Sequence, residues 1–330
     1  MIIDPVMELF DLLASKANYR EIAELFFRQE LCESFREFQI KYEDREIALR
    51  GVFGRVSEEE KSLTNREINT FSEHLERLIG MRDSIIEFIE EARSSFTVID
   101  MEARELAMQY LPKEARFELA DIVMLPVPYD ARVFRGRVFF DPLLARDLGI
   151  EGFTKFLSHE YHHSGRTSLK RPVELETSDE EDFIYSCFEM LEIEGIADLV
   201  FEVSCLHEII PAFKRLREIR QDRFDNFQEQ LEAASLIASR FLDGKLHGDA
   251  LKKEMFLALF SKGANHPVGH RMAFEIDRAL GRDTLVATVA HTSKFLEAYC
   301  EVAATKSYYV VESRLLDFVR DYETTRPEFG

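Results

Sequence analysis

Apolar residues recur at three- and four-residue spacings along most of the chain, the pattern of helices that bury one face. Asp4 followed by Pro5 reads as an N-cap with proline at the first helical position, opening a helix over 6–14. The period continues over 19–38. Ser57 and Glu60 form a capping box for a long helix towards Leu78, and helices over 84–96 and 101–111 follow, the last capped by Asp100. Near Pro112 the pattern changes. Residues 117–125 are apolar and β-prone as far as Pro126 and Pro128, and 131–140 is a second strand-like run with a hairpin expected about Gly136. Asp141-Pro142 then caps a short helix that stops at Gly149, and a further helix spans 152–164.

Beyond a polar, acidic loop over 174–182, Ser178 and Glu181 make another capping box, starting a helix that carries Phe183 through Val203. From Pro211 onward the chain is helical again, over 216–242, 251–260, 267–280, 295–303 and 308–322, with stops at Gly244, Gly263 and Gly281. The expected fold is mainly α with a small β-sheet (α+β). It divides into a helical N-terminal domain (1–112), a core with the sheet and central helix (113–205), and a helical C-terminal domain (206–330) closing a cleft.

Hydrophobic residues make up 46% of the chain, enough for a proper core. The formal net charge of −20 is offset by no basic patch, which excludes nucleic acid as an expected partner. Met1-Ile2-Ile3-Asp4-Pro5 has no basic n-region and no long apolar run, so it does not read as a signal peptide. No stretch approaches the roughly 18 uninterrupted apolar residues of a membrane span. Cys32, Cys187, Cys205 and Cys300 show no paired spacing and read as reduced, buried thiols, consistent with a cytoplasmic protein.

The chemistry concentrates in the helix over 152–164. His159-Glu160-Tyr161-His162-His163 is an H-E-x-x-H pattern, and residues four apart share a helix face, so both imidazoles can point at one ion. Glu160 lies on the adjacent flank, where a carboxylate can serve a coordinated water without ligating the metal. His162 lies off the ligand face and reads as packed or hydrogen-bonded. A catalytic zinc usually takes three protein ligands, so a third is expected on a facing element. Glu194 is the candidate. It sits in a mostly apolar segment, where an unpaired carboxylate is costly, beside the small residues Gly195 and Ala197, which allow another backbone to come close. Asp198, four residues on, can accept a hydrogen bond from the far nitrogen of a ligating histidine and fix its orientation. Glu189, Glu192 and Glu194 cannot all share one face. Arg166 is suited either to a substrate carboxylate or to a nearby acid.

His159-Glu160-Tyr161-His162-His163 followed by Glu194-Gly195-Ile196-Ala197-Asp198 resembles the H-E-x-x-H and E-x-x-x-D signature of the gluzincin metallopeptidases, the thermolysin-like clan. Its particular form is similar to a largely uncharacterised branch of zinc-dependent peptidases. The likeness is specific over about 132–200 and weaker beyond. It implies a zincin-like catalytic core, Zn2+ bound by His159, His163 and Glu194, Glu160 as general base, and Asp198 behind His159. It further suggests that the strand over 132–140 is the sheet edge along which an extended peptide lies.

The clan's oxyanion donor is a His or Tyr after the ligands. Asn265-His266-Pro267-Val268-Gly269-His270-Arg271-Met272-Ala273 resembles a G-x-x-M-A element of that branch, with His270 where Tyr is common. Pro267 at the first helical position would put His266 at the cap and His270 in the first turn. The resemblance implies His270 as the leading donor, with His266 and Tyr129 as further candidates for the oxyanion or for substrate contact. His266 as a simple cap, His270 as a surface residue, or both as a second metal site are the competing readings. The remaining histidines, His74, His207, His247 and His291, read as isolated surface or core residues. Together these features point to a zinc peptidase acting on a peptide or protein. The competing reading is a non-catalytic helical interaction protein with a structural or vestigial zinc site, against which the intact Glu160 counts. A di-iron helical protein needs a second E-x-x-H, which no histidine supplies.

Overall fold

A computed structural model describes the chain except residues 1, 4, 29–30, 32–34, 36–41, 54–65, 118–120, 174–176, 202–213, 262–264 and 326–330. The capping box at Ser57 and Glu60, Cys32, Cys205, His207, Gly263 and the helix end at Val203 lie outside the described residues. The chain is mainly helical with a small sheet, and it forms two compact units. One is Met1–Glu102 with Leu119–Thr154, the other Ala103–Glu118 with Lys155–Gly330.

The first unit holds the sheet. Its strands β1 (Ile2–Ile3), β2 (Asp121–Met124), β3 (Ala131–Phe134) and β4 (Arg137–Phe140) lie in the order β1-β2-β4-β3. β1 and β4 each run parallel to β2, while β3 and β4 form an antiparallel hairpin pairing Ala131 with Phe140 and Phe134 with Arg137. Its turn residues Arg135 and Gly136 have φ of 50° and 70°, the two-residue left-handed turn whose twist matches the strands. The hairpin about Gly136 is borne out. The strand over 132–140 expected as the sheet edge is not one edge strand, however: β3 is the edge and β4 is interior.

Around the sheet lie α1 (Pro5–Ala14), α2 (Tyr19–Phe26), α3 (Tyr42–Phe53), α4 (Arg66–Gly80), α5 (Arg82–Ser94) and the start of α6 (Phe96–Met108). α2 stops short of Phe38, at a C-cap where the Phe27 N–H turns back to Ala23 and Leu25. α6 begins a turn earlier than expected, so Asp100 lies inside it. Asp141 does cap the next helix, α7 (Pro142–Leu169), accepting from the Leu144 N–H at 2.9 Å while its other oxygen lies 2.8 Å from His74 Nε2. Gly149, at φ 65° and ψ 177°, interrupts α7 where the stop was expected. Phe153 on α7 packs edge-on against Phe140 and Phe88.

The second unit takes the rest of α7, then α8 (Glu180–Phe201), α9 (Lys214–Asp225), α10 (Phe227–Leu242), α11 (Gly248–Met255) and a π-helical turn at Phe256–Phe260. α12 (Asn265–Leu280), α13 (Arg282–Val286), α14 (Thr292–Lys306) and α15 (Ser313–Thr325) complete it. The cap of α8 is Asp179, not Ser178: its Oδ1 accepts from the Glu181 and Asp182 N–H groups. The run 216–242 breaks at Asn226 into α9 and α10. α8 is buried on nearly every side, with Ile184, Phe188, Leu191 and Ile196 fully inaccessible, as expected of a helix apolar all round. Cys187 and Cys300 are free thiols. Among the described residues, no helix is long and apolar enough to cross a membrane.

Candidate metal centre

The site is built in the second unit from three helices. α7 presents His159, Glu160 and His163, with Leu157 and Tyr161 buried on its inner side and the Arg104 guanidinium 5.0 Å from the Tyr161 ring. α8 presents Glu194 and Asp198, and α12 presents His266. Where α8 and α12 meet, only glycine fits. A Cβ on Gly195 would lie 2.3 Å from the Gly269 carbonyl carbon, and one on Gly269 would lie 2.2 Å from the Leu191 carbonyl oxygen. The two backbones are thus in direct contact beside Glu194, as the small residues after it suggested.

His159 Nε2 and His163 Nε2 are 3.0 Å apart, and Glu194 Oε2 lies 3.7 Å from the first and 3.5 Å from the second. Tetrahedral zinc, with bonds of about 2.0–2.1 Å, separates its ligand atoms by about 3.3 Å. The triangle therefore has the size of a zinc footprint, and His159, His163 and Glu194 form a group that can hold a metal ion. Two imidazoles and one carboxylate are also the donor set of open, catalytic zinc sites. Glu194 Oε2 is buried without a well-formed hydrogen bond, a costly arrangement for a carboxylate unless a cation balances it.

Further charged and polar side chains surround these three groups. Asp198 Oδ1 lies 3.5 Å from His159 Nδ1, and Arg220 on α9 donates to Asp198 Oδ2 at 2.6 Å. His266 Nδ1 lies 3.2 Å from Glu194 Oε2 and 3.5 Å from Asp198 Oδ2, its ring parallel to that of His159. Burial and the charge of His163 bring His159 down to about 4. For His163, burial is outweighed by Glu194, which raises it to about 9. Burial is likewise outweighed at both carboxylates: the histidines, His266 first, hold Glu194 below the usual carboxylate range, and Arg220 does so for Asp198. His266 is raised despite burial by the same two carboxylates.

The other expected residues have different packing partners. His162 is buried with Nε2 3.3 Å from the Tyr110 carbonyl oxygen, a packed residue off the ligand face. The helix α12 already includes Asn265, so His266 sits in its first turn instead of capping it, and His270 comes one turn later, with its ring against Phe224 at 5.1 Å. The histidine beside Glu194 is thus His266. Tyr129 belongs to the first unit, where its ring meets His74 edge-on at 5.6 Å. Arg166 pairs with Glu189 and Glu192 in the interior, which resolves its alternatives in favour of nearby acids. Of the lesser histidines, His74 is held by Asp141 and His247 by Glu180. Arg220 went unseen because α9 carries five basic residues, and nothing in their spacing distinguishes one.

A family described as "Putative zinc dependent peptidase (DUF5700)" has a model that matches residues 11–308. No curated protein and no solved structure matches the chain.

Proposed function

The chain belongs to this DUF5700 family, whose description names zinc and peptide hydrolysis, and from that premise we propose that it is a zinc-dependent peptidase of the gluzincin type with a zincin-like core. The observation that carries the reading is the convergence of His159, His163 and Glu194, with Asp198 behind His159.

His159, His163 and Glu194 would hold the ion. When bound, zinc supplies Lewis acidity towards a water molecule and the scissile carbonyl, worth several kcal/mol in such sites. Glu160 is 3% exposed and lies close enough to His163 for its charge to act there. It is the general base, taking a proton from the attacking water and passing it to the departing amine. His266 is the better oxyanion donor. Its Nδ1 faces Glu194 and Asp198, which favour the protonated ring and leave Nε2 as a second donor. Asp198 fixes the tautomer of His159, and Arg220 holds Asp198 in place.

Glu160→Gln tests the mechanism. The variant should bind zinc as the parent does and lose cleavage of a mixed peptide library read by mass spectrometry. An unchanged cleavage rate would sink the role given to Glu160. Bound zinc with no cleavage by the parent protein would favour a non-catalytic scaffold.

A further inference from the structure

Glu189 and Glu192 are buried carboxylates on the ligand helix α8 that the proposed chemistry does not use. Both are held by Arg166 on α7, which donates to Glu189 Oε1 at 2.7 Å and to Glu192 Oε2 at 2.9 Å. The three side chains are 1%, 1% and 0% exposed. Arg166 Nη1 also donates to the Lys170 carbonyl at 2.9 Å. The remaining carboxylate oxygens are satisfied too: the Val173 N–H donates to Glu189 at 2.7 Å and the Ala290 N–H to Glu192 at 3.0 Å. Apolar residues of similar volume are often as stable as a buried ion network, or more so. Stability therefore explains the network poorly, and fixing a register is the best-attested use of such groups.

His159, His163 and Arg166 follow i, i+4, i+7 spacing and so share one stripe of α7. On α8 the turn of about 100° per residue places Glu192 roughly 160° round the helix from Glu194. α7 therefore meets α8 on two faces, through the histidines at Glu194 and through Arg166 at Glu189 and Glu192. One contact leaves a helix free to roll about its axis; two on different faces remove that freedom. We infer that Arg166 is a positioning residue for the metal centre, fixing the roll of α8 so that Glu194 meets His159 and His163. This rests on the metal-centre reading of the site.

The test reads metal binding, not cleavage. Arg166→Met alone strands two buried carboxylates and is a poor probe if it fails to fold. The combined variant Arg166→Met, Glu189→Gln, Glu192→Gln removes the charges together. With folding checked by circular dichroism and thermal unfolding, zinc affinity is measured against a chromophoric chelator and the site is probed by the visible spectrum of added Co2+. The expected result is a folded protein that binds zinc about 10–100-fold more weakly, as when partners outside the ligand set are lost, with an altered cobalt spectrum. Wild-type zinc affinity and an unchanged spectrum in the folded variant would overturn this inference while leaving the metal centre standing. Failure of the parent protein to bind either ion would overturn both. If the combined variant does not fold, Arg166→Lys decides, since it keeps the charge and loses the fork. Weaker zinc binding supports the inference, and parental affinity overturns it.

Discussion

Gly269→Ala sets two effects of opposite sign against each other. In a helix interior, replacing glycine by alanine stabilises by roughly 0.5–1 kcal/mol, because glycine loses more freedom on folding. At Gly269 the new methyl would sit 2.2 Å from the Leu191 carbonyl oxygen and 3.0 Å from its carbonyl carbon and Cα. Attractive contact between heavy atoms begins near about 3.5 Å, so the helices must part by on the order of 1 Å. No flexible side chain can yield, since the obstructing atoms are backbone on α8, and Gly195 presses on Gly269 from the same helix. Overpacking of this kind costs typically about 1–3 kcal/mol, occasionally more, and the upper end applies here. Less the gain from alanine, about 2–2.5 kcal/mol of destabilisation remains, and at about 2–4 °C per kcal/mol for a unit of 150–250 residues the melting temperature should fall by about 4–10 °C. The separation also draws His266 away from Glu194, now 3.2 Å from it. Thermal unfolding by circular dichroism measures the first effect, and the peptide assay the second. Gly51→Ala is the control: Gly51 is helical and exposed with nothing within 4 Å of an added Cβ, so only the stabilising term remains. A Gly269→Ala protein that melts at or above the parental temperature would refute the account of helix contact.

Three further outcomes are expected. Asp198→Asn should weaken zinc binding about 10–100-fold in a chelator competition, since it removes the carboxylate facing His159 and leaves Arg220 without its charge partner; parental affinity would remove Asp198 from the site. Metal loading should release about one proton at pH 7, because ligating imidazoles must be neutral and the metal-free pair holds His163 protonated, titrating at about 9, with His159 neutral above about 4. Calorimetry in buffers of different ionisation enthalpy counts that proton, and a count of zero at pH 7 would contradict the assignment. The sign for the metal-free fold follows: His163 is raised from 6.5, so its contribution to stability is complete below that value and is lost as the pH rises through about 9. Asp141→Ala should destabilise the first unit by about 2–4 kcal/mol, about 1 from the lost helix cap and the rest from leaving buried His74 without its carboxylate. A melting temperature unchanged from the parent would contradict that estimate.

What could be read from the sequence, and what could not, divides by distance along the chain. His159 with His163, and Glu194 with Asp198, are four apart on single helices, and a helix projects such pairs together whatever it packs against. Gly136 and Gly149 were legible for the same reason, since each does its work within a few residues. The element ends moved because a cap competes with its neighbours: Asp179 took the role expected of Ser178, one residue away. That uncertainty matters most at α12, where the expected places of His266 and His270 depend on which residue starts the helix. β1 is two residues long and gains its meaning only from Ile122 and Val123, far along the chain. The carboxylates of α8 show the limit most clearly. Spacing alone separates Glu194 from Glu192 round the helix, and it does not say which faces the histidines and which faces Arg166. That choice is made by the crossing of α7 and α8. The mutual contact of Gly195 and Gly269 sets how close α12 comes to α8, and with it the distance from His266 to Glu194. The candidate ligands are local features of the sequence, whereas the geometry that brings them together is a property of how three helices pack.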